Sequence, residues 1–286
     1  MIIYDCFTFY NEFELLELRL RELDDHVDWF VLVEADRTFQ NKEKPLYFTN
    51  DLDNPRWAKY RHKIRVVQVT DMPVATDAWG RERHQRDAIM YGCRNADAMD
   101  IIMIGDVDEI PRPETVERLR NSSELIWGFR MPLFNFKYNY MMVTKDLYSV
   151  WSGAVRRSAL DSSEDFRRMR HTLNGCAYNF SDGTVAIVEH AGWHFTYLGA
   201  EEFARTKIQS FAHEESNKPE ILDQLDIEDS IRRGAGVVRT DNDYRFSPVA
   251  IDDYLPRTIL DNQDDFDSHL IKTDAKSARH YLPDML

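Results

Sequence analysis

The feature that most constrains the fold is a short apolar run that ends in a cluster of acidic residues. Residues 101–104 carry only apolar side chains, and Gly105 follows them. The next residues include three carboxylates, those of Asp106, Asp108 and Glu109. A run that is apolar at every position is typical of a strand covered on both faces, as in the parallel sheet of an α/β protein. Because ligands bind at the carboxyl ends of such strands, the sequence predicts a polar site at the end of a buried strand.

The order of the predicted elements favours a layered α/β fold. Strand-like runs occur at 4–9, 29–33, 64–69 and 101–104, and helical patterns at about 13–23 and 81–96. Strands that alternate with helices predict a mostly parallel central sheet flanked by helices. Further along, shorter strand-like runs and a helical pattern at about 200–213 predict a smaller antiparallel part. Because no repeat or flexible linker interrupts the chain, we expect one domain over residues 1–286, with a first half at 1–113 and a second half at 114–286 that ends in a C-terminal tail.

Charge and cysteine content exclude several classes of protein. The 286 residues include 36 Lys and Arg against 50 Asp and Glu, a formal net charge of −14, which argues against a nucleic-acid partner. The three cysteines are far apart and form no C-x-x-C pair, so neither a disulfide framework nor a cysteine zinc site is predicted. No apolar run approaches the ~18 residues that span a bilayer, and we expect a soluble cytoplasmic protein.

The acidic cluster that follows residue 104 predicts a site for a divalent cation. Neighbouring carboxylates repel one another and raise each other's pKa, and a bound cation removes that cost. Oxygen ligands suit Mg²⁺ or Mn²⁺, which commonly also bind the phosphates of a substrate. A cation held by Asp106 and Asp108 could neutralise the charge that grows on a diphosphate leaving group. The structural alternative is an acidic loop in which Glu109 serves the helix that follows.

Several blocks of the chain, in the same order, resemble glycosyltransferase family 17. The blocks are residues 5–20, 27–34, 38–39, 44–47, 106–113 and 192–195, together with Glu82, Gln85, Arg86, His213 and Glu215. Eukaryotic members of that family add the bisecting β-1,4-linked N-acetylglucosamine to N-glycans. The resemblance implies a GT-A fold, with a nucleotide-sugar-binding half joined to an acceptor-binding half. It also implies an inverting, metal-dependent transfer of a sugar, N-acetylglucosamine foremost, from a UDP-sugar to a glycan hydroxyl.

The resemblance further implies roles for residues of the donor site. Asp106 and Asp108 match the D-x-D motif, with Asp108 as a metal ligand and Asp106 on the ribose or on a water bound to the metal. Glu34, at the end of the second strand, is expected to contact the nucleoside. Asp5 and Asn11 are expected near the same rim. For Asn11, the N-cap of the first helix is an equal alternative.

Two basic side chains complete the expected donor site. Arg86 lies on the helix before residues 101–104, and we expect it to contact the diphosphate. Its alternative role is an exposed ion pair with Glu82, four residues earlier, which contributes only ~0.3–0.5 kcal/mol. In GT-A enzymes a histidine late in the chain often completes the metal shell. His213 is the candidate and His194 the alternative, with a packed or capping role open for both.

An inverting transfer also needs a general base that takes the proton of the acceptor hydroxyl. By resemblance to other inverting GT-A enzymes, Glu201 and Glu202 are the candidates, because they open a helix just after a Gly-Trp strand. Acidic residues in the first turn also favour the helix dipole, which is the structural alternative. Glu189 and Glu109 are weaker candidates for the base.

Other interpretations of the sequence remain open. A phosphatase or phosphotransferase could use Asp106 as nucleophile and Asp108 as acid, although such enzymes usually carry the motif on the first strand. A nucleotide-sugar-binding protein without turnover is a further alternative. Trp193 and the aromatic residues within 134–140 could stack on sugar rings, with burial in the core as the default. The acceptor is expected to be a polysaccharide, a lipid-linked sugar or another cytosolic glycan rather than a secretory N-glycan.

Overall fold

The computed structural model describes residues 1–144, 148–175, 185–199, 201–212, 217–223, 225–236 and 244–282. Up to residue 120 the elements are β1 (Ile3–Thr8), α1 (Phe13–Leu23), β2 (Trp29–Ala35), α2 (Tyr47–Asp51), β3 (Ile64–Val69), α3 (Ala78–Asp87), α4 (Ile89–Gly92), β4 (Ile101–Asp106), β5 (Glu109–Pro111) and α5 (Pro113–Arg120). The later ones are β6 (Ile126–Met131), β7 (Leu133–Asn135), β8 (Tyr140–Met142), β9 (Ser149–Arg156), α6 (Ser163–Gly175), β10 (Val185–Val188), β11 (Gly192–Thr196), α7 (Glu201–Ser210), α8 (Pro219–Leu222), α9 (Ile227–Arg233), β12 (Phe246–Pro248), α10 (Arg257–Asp261) and α11 (Gln263–Phe266).

The larger sheet has the strand order β10-β6-β9-β4-β1-β2-β3. β1 pairs in parallel with both β2 and β4, and β2 pairs in parallel with β3. β9 runs antiparallel to β4 and to β6, so it separates two parallel parts of the sheet. The predicted architecture, a mostly parallel central sheet with helices and a smaller antiparallel part, is confirmed by this arrangement.

Helices cover both faces of the central strands. Met103 packs in the core cluster that contains the apolar face of α1, and Ile104 packs in the cluster that contains α4. Successive side chains of a strand point to opposite faces of the sheet, so both faces need an apolar cover here. This is the physical reason why residues 101–104 are apolar at every position.

The smaller sheet has the order β12-β8-β7-β11-β5. Its strands come from both sides of the expected boundary at residue 113. β5 belongs to the first half of the chain and pairs antiparallel with β11 of the second half. Conversely, β6, β9 and β10 of the second half complete the larger sheet. The two halves therefore share both sheets, a pairing that strand patterns alone do not specify.

The start of α1 differs from the predicted cap. The helix begins at Phe13, and no side chain caps its amino end. The carboxylate of Glu12 instead turns back and accepts the backbone N–H groups of Tyr10 and Asn11, at 3.0 and 3.1 Å. The prediction that Asn11 caps this helix is wrong, because residue 12 occupies the cap position and Asn11 lies one residue before it.

The turn between β4 and β5 carries the chain from the larger sheet into the smaller one. Asp106 ends β4, and Asp108 lies in the turn, where its carbonyl accepts the N–H of Phe195 in β11 at 2.8 Å. A Cβ on Gly105 would come within 3.0 Å of the Glu109 carboxylate, so a glycine here lets Glu109 lie back against β4. The acidic cluster thus sits at the junction of the two sheets. Among the described helices, none combines the length and apolar character needed to cross a bilayer.

Candidate active site

A cavity of about 280 Å³ opens at the carboxyl ends of β1 and β4, beside β11 and α7. Its polar lining includes Thr8, Tyr10, Glu12, Glu82, Arg86, Asp106, Asp108, Glu109, Arg170, His194 and Lys207. Parallel strands direct their carboxyl ends to one edge of a sheet, which is where ligands bind in α/β proteins. The structure therefore places the predicted Asp106, Asp108 and Arg86 on one concave surface.

One end of the cavity is an arginine corner, formed by Asp106, Arg86, Arg167 and Arg170. The Asp106 carboxylate accepts a hydrogen bond from Arg86 at 3.0 Å and one from Arg167 at 2.8 Å. Burial alone would raise the pKa of Asp106, but the guanidinium groups of Arg167, Arg86 and Arg170 hold it well below its usual range. Asp106 is therefore ionised at all physiological pH values and is held from two sides.

Arg86 and Arg170 differ in how much hydrogen-bonding capacity they have left. The terminal nitrogens of Arg86 contact Glu82 at 2.9 Å, Asp106 at 3.0 Å and Glu164 at 3.1 Å. Arg170 lines the cavity, and within the described ranges no carboxylate oxygen lies within 4.0 Å of it. The predicted diphosphate contact therefore suits Arg170 better, because Arg86 is already committed to three carboxylates.

Glu109 holds two members of the arginine corner, Arg167 and the backbone of Asp106, in place. Its side chain is 1% exposed, it accepts a hydrogen bond from Arg167 at 2.6 Å, and its other oxygen accepts the backbone N–H of Asp106 at 2.9 Å. Burial raises its pKa to about 7, which the positive charge of Arg167 only partly offsets. Both oxygens are occupied, so Glu109 positions its neighbours rather than facing a substrate.

The other end of the cavity is a lysine corner, formed by Asp108, Lys207, Glu12 and His194. The Lys207 ammonium on α7 lies 2.6 Å from an oxygen of Asp108 and 4.0 Å from an oxygen of Glu12. Burial would lower the pKa of Lys207, but the two carboxylates raise it above its usual value. Burial also raises the pKa of Glu12, with Lys207 opposing the shift. The ammonium therefore keeps its charge throughout the physiological range.

His194 closes the lysine corner as a neutral side chain. Its Nε2 atom lies 3.8 Å from Asp108, beyond hydrogen-bond distance, and its Nδ1 atom is buried with no hydrogen-bond partner among the described residues. Burial lowers its pKa to about 4 despite the nearby carboxylate. Its ring packs edge-on against Trp151, with the ring centres 4.5 Å apart. His194 is therefore uncharged near pH 7.

Two carboxylates that the resemblance assigned to the nucleotide have structural partners instead. Asp5 is fully buried and pairs with Arg19 through contacts of 2.6 and 2.7 Å. Arg19 also donates to the carbonyls of Asp106 and Glu109, which fixes the turn that carries the acidic cluster. Glu34 is likewise fully buried. It accepts two backbone N–H groups at the start of α2, at 2.9 and 2.8 Å, so neither carboxylate faces the cavity.

The predicted general bases lie away from the cavity lining. Glu201 pairs with Arg205, four residues later on α7, at 2.6 Å, and Glu202 is exposed on the same first turn. Glu189 pairs with Arg130 at 2.6 Å outside this cavity. The helix α7 was predicted at the right place, but it turns its Lys207 side, not its first-turn acids, to the site. His213 lies outside the described residues.

The aromatic residues expected to stack on sugars belong to the core. Trp193 is 1% exposed, and its indole N–H donates to the carbonyl of Tyr254 at 2.8 Å. The four aromatic residues within 134–140 are fully buried. Burial of aromatic rings is their commonest role, and here it is the observed one.

The side chains that the structure describes do not form a divalent-cation site by themselves. No group of three His, Cys, Asp or Glu residues within the described part of the chain is arranged to hold a metal ion. The Asp106 carboxylate is bound by two guanidinium groups, and Asp108 is bound by the Lys207 ammonium. Mg²⁺ and Mn²⁺ need several oxygen ligands that are free to coordinate. The metal requirement therefore stays a prediction that these residues do not support.

Comparison with known proteins decides the family. Residues 1–252 match the family described as glycosyltransferase family 17. The chain belongs to glycosyltransferase family 17. The predicted resemblance is thereby confirmed, and family 17 is a family of enzymes that transfer sugars. The phosphatase alternative loses its support, because it rested on the D-x-D motif alone.

Curated relatives of this family 17 chain come from Rattus norvegicus, Mus musculus and Homo sapiens. Each is named beta-1,4-mannosyl-glycoprotein 4-beta-N-acetylglucosaminyltransferase and is 25% identical to the chain over 281 residues. The match covers 90% of this chain and 52% of each relative, so the chain spans about half the length of the curated relatives it matches.

A solved structure is also similar to this family 17 chain. It is described as a glycosyltransferase involved in the glycosylation of the major capsid of PBCV-1. The likeness has a TM-score of 0.32 and 9% identity, and covers 66% of this chain and 82% of that one. A likeness this weak carries no argument about function.

Several residues that line or support the cavity of the family 17 chain were missed by sequence reasoning. They are Glu12, Arg167, Arg170 and Lys207. Three basic residues within four positions, at 167, 168 and 170, were a visible signal. Lys207 and Glu12 gave no signal of their own, since a lone charged residue on or beside an amphipathic helix is usually solvated.

Proposed function

We propose that this chain transfers a sugar, N-acetylglucosamine foremost, from a UDP-sugar to a hydroxyl of a glycan, with inversion at the anomeric carbon. The donor sugar is suggested by the names of the curated relatives. The observation that carries the proposal is the cavity, in which the Asp106-x-Asp108 motif and the guanidinium of Arg170 line one concave surface at the carboxyl ends of parallel strands. A site of this kind combines positive groups for a diphosphate with carboxylates for hydroxyls.

Arg170 is our candidate for the diphosphate contact. Guanidinium groups bind phosphate oxygens through two parallel hydrogen bonds, which gives both strength and orientation. Burial and the neighbouring Arg167 lower the pKa of Arg170, because the positive charges repel one another. An arriving diphosphate relieves that repulsion, so the arginine corner favours an anion at Arg170 while Arg86 and Arg167 keep Asp106 in place.

Glu12 is our candidate for the general base. The other four cavity carboxylates, Glu82, Asp106, Asp108 and Glu109, each lie between 2.6 and 2.9 Å from a basic nitrogen. Within the described ranges, the basic nitrogen nearest to Glu12 is that of Lys207, at 4.0 Å. Burial also raises the pKa of Glu12, which makes its carboxylate a better proton acceptor. An acceptor hydroxyl that hydrogen-bonds to Glu12 would attack the anomeric carbon from the side opposite the diphosphate.

A panel of UDP- and GDP-sugars tests the donor assignment. We expect UDP-N-acetylglucosamine to raise the melting temperature, because a ligand at 100 times its Kd adds about 2.7 kcal/mol to the stability of the folded state. We also expect slow release of UDP from the same sugar in the absence of an acceptor. If no nucleotide sugar stabilises the protein or is cleaved by it, the proposed function is wrong.

Paired glutamate variants test the base. Glu12→Gln should lower the rate of transfer to a glycan acceptor by about 10²–10⁴-fold, the usual contribution of a general base. Glu201→Gln, which removes the carboxylate first expected to act as base, should leave the rate nearly unchanged. Equal losses in the two variants would show that the base is not Glu12.

A further inference from the structure

We propose that the ammonium group of Lys207 takes the place of a divalent cation at the D-x-D motif, so that it stabilises the leaving diphosphate and transfer proceeds without a metal ion. This inference rests on the proposed function, because it assigns a role in the same transfer. It departs from the metal dependence that the resemblance implies.

The first observation is the position of the ammonium. Lys207 reaches from α7 to the carboxylate of Asp108, at 2.6 Å, with Glu12 on its other side at 4.0 Å. The side chains of Lys207 and Asp108 are only 19% and 6% exposed. Two acidic groups thus hold one cation inside the cavity, where an ion pair is far less screened by water than at the surface.

A second observation concerns the residue above the ammonium. The ring of Tyr197 lies with its centre 5.6 Å from the Lys207 nitrogen. Tyr197 has a φ angle of 53°, in the left-handed region that residues with a side chain seldom adopt. Such a conformation persists only where the surroundings impose it, and it concentrates at functional sites. Here it keeps an aromatic face towards the cation.

A metal ion at Asp108 would have to compete with this ion pair. It would displace the ammonium from a carboxylate that is almost fully buried, and the displaced charge would need a new partner. At the same carboxylate, the Nε2 atom of His194 lies 3.8 Å from an oxygen of Asp108. At the other carboxylate of the motif, two guanidinium groups already hold both oxygens of Asp106. The positive charge at the motif is therefore supplied by the chain itself.

The step that follows is balanced in atoms and charge. The proton of the acceptor hydroxyl passes to Glu12, and the acceptor oxygen forms a bond to the anomeric carbon of the donor. The bond from that carbon to the diphosphate breaks with its electron pair on the leaving oxygen. Lys207 stays protonated and donates a hydrogen bond to the phosphate that carries the new charge, while Arg170 contacts the diphosphate at the arginine corner.

The first test measures UDP release from UDP-N-acetylglucosamine by the full chain in excess EDTA and in Mn²⁺. We expect the wild-type rates to agree within about twofold, since a preorganised charge in the protein stabilises the leaving group as a metal would. We also expect UDP to bind in EDTA by calorimetry. A wild-type protein that is inactive in EDTA and active in Mn²⁺ would overturn the proposal for Lys207 but leave the proposed function intact.

Variants of Lys207 form the second test. Lys207→Met should lower kcat by about 10²–10³-fold with little change in KM, because the contact strengthens only as the bond breaks. Lys207→Arg, which keeps the charge, should recover most of that loss. Lys59→Met is the matched control, since Lys59 also pairs with an aspartate, Asp24, at 2.8 Å, but is itself 67% exposed. If kcat is unchanged in Lys207→Met, the proposal is wrong.

A double variant covers the case in which Lys207→Met does not fold. Asp108→Asn combined with Lys207→Met removes both charges of the 2.6 Å pair, so neither of the two is left buried without the other. We expect this protein to fold, to bind UDP more weakly and to remain inactive in EDTA and in Mn²⁺. Full activity of the double variant would overturn the role of Lys207. If the wild type cleaves no nucleotide sugar under either condition, the proposed function itself fails and this inference fails with it.

Discussion

The arginine corner and the lysine corner lie at the two carboxylates of one D-x-D motif, yet they hold their charges differently. Asp106 has a side chain that is 34% exposed and is bound by Arg86 and Arg167. Asp108 has a side chain that is 6% exposed and is bound by a single ammonium. The more exposed carboxylate is the more firmly held. We infer from this difference that Asp106 has mainly a structural role in the site. Lys207, the partner of Asp108, can also contact a bound substrate.

The largest expected effect is a loss of stability in the arginine corner. Arg167→Met leaves the buried Glu109 without its 2.6 Å partner, and removing one member of a buried pair costs about 3–5 kcal/mol. Arg130→Met is the control, because Arg130 pairs with Glu189 at the same 2.6 Å but near the surface, where such a pair contributes about 0–1 kcal/mol. Urea denaturation measures the loss of unfolding free energy in both variants. Similar losses in the two variants would contradict the assignment of a structural role to the arginine corner.

The next effect should fall on activity in the lysine corner. Asp108→Asn removes the carboxylate that holds Lys207, and we expect kcat for UDP release to fall by about 10²–10³-fold. Its loss of unfolding free energy should be smaller than that of Arg167→Met, since Lys207 is 19% exposed and keeps Glu12 nearby. Asp71→Asn, at a carboxylate that is 81% exposed, serves as the control. If Asp108→Asn is unstable but fully active when folded, Asp108 has a structural role rather than a role in activity.

Glu109 in the arginine corner should give the stability of the protein a pH dependence of its own. The pKa of Glu109 is raised by burial to about 7, so its contribution to stability is complete below the unfolded value of 4.5 and is lost as pH rises through about 7. The stability of the wild type relative to Glu109→Gln should therefore fall between about pH 5 and pH 8. Burial lowers the pKa of His194 from 6.5 to about 4, so this residue makes the fold more stable as pH rises towards 6.5, but it does so in both proteins and cancels from the difference. If the difference in unfolding free energy between the wild type and Glu109→Gln does not change with pH, Glu109 is not the source of a pH dependence.

The smallest expected effect is on nucleotide affinity. Arg170→Gln should weaken UDP binding about tenfold, a change of about 1.4 kcal/mol, because one charged contact to the diphosphate is lost. Arg168→Gln is the control on the same helix, since Arg168 is exposed and does not line the cavity. Calorimetry at one salt concentration compares the UDP affinities of the two variants. Equal affinities in the two variants would move the diphosphate contact away from the arginine corner.

Much of the fold and part of the site follow from local sequence patterns. The apolar run at 101–104 predicted the central buried strand, and the order of strands and helices predicted the α/β layers. The same run located Asp106 and Asp108 at a strand end, beside the cavity. These features depend on short-range periodicity, which is why they could be predicted.

The roles of single carboxylates could not be predicted, because each depends on a partner far away in the chain. Glu34 stands near the end of β2 as expected, and Asp5 lies within β1, but Arg19 binds Asp5 and the start of α2 binds Glu34 inside the protein. Glu201 opens the predicted helix but faces Arg205 rather than the cavity. A position at the end of a strand or helix is therefore compatible with both a structural and a functional role.

By itself the sequence determined the layered fold, the family and the place where the acidic cluster lies. The periodicity of apolar residues and the order of several motifs carry that information. Only the tertiary structure decided which charges meet: Asp106 lies 61 residues from Arg167, and Asp108 lies 99 residues from Lys207. An ion pair depends on distance in space and on burial, and neither is encoded in the spacing of residues along the chain.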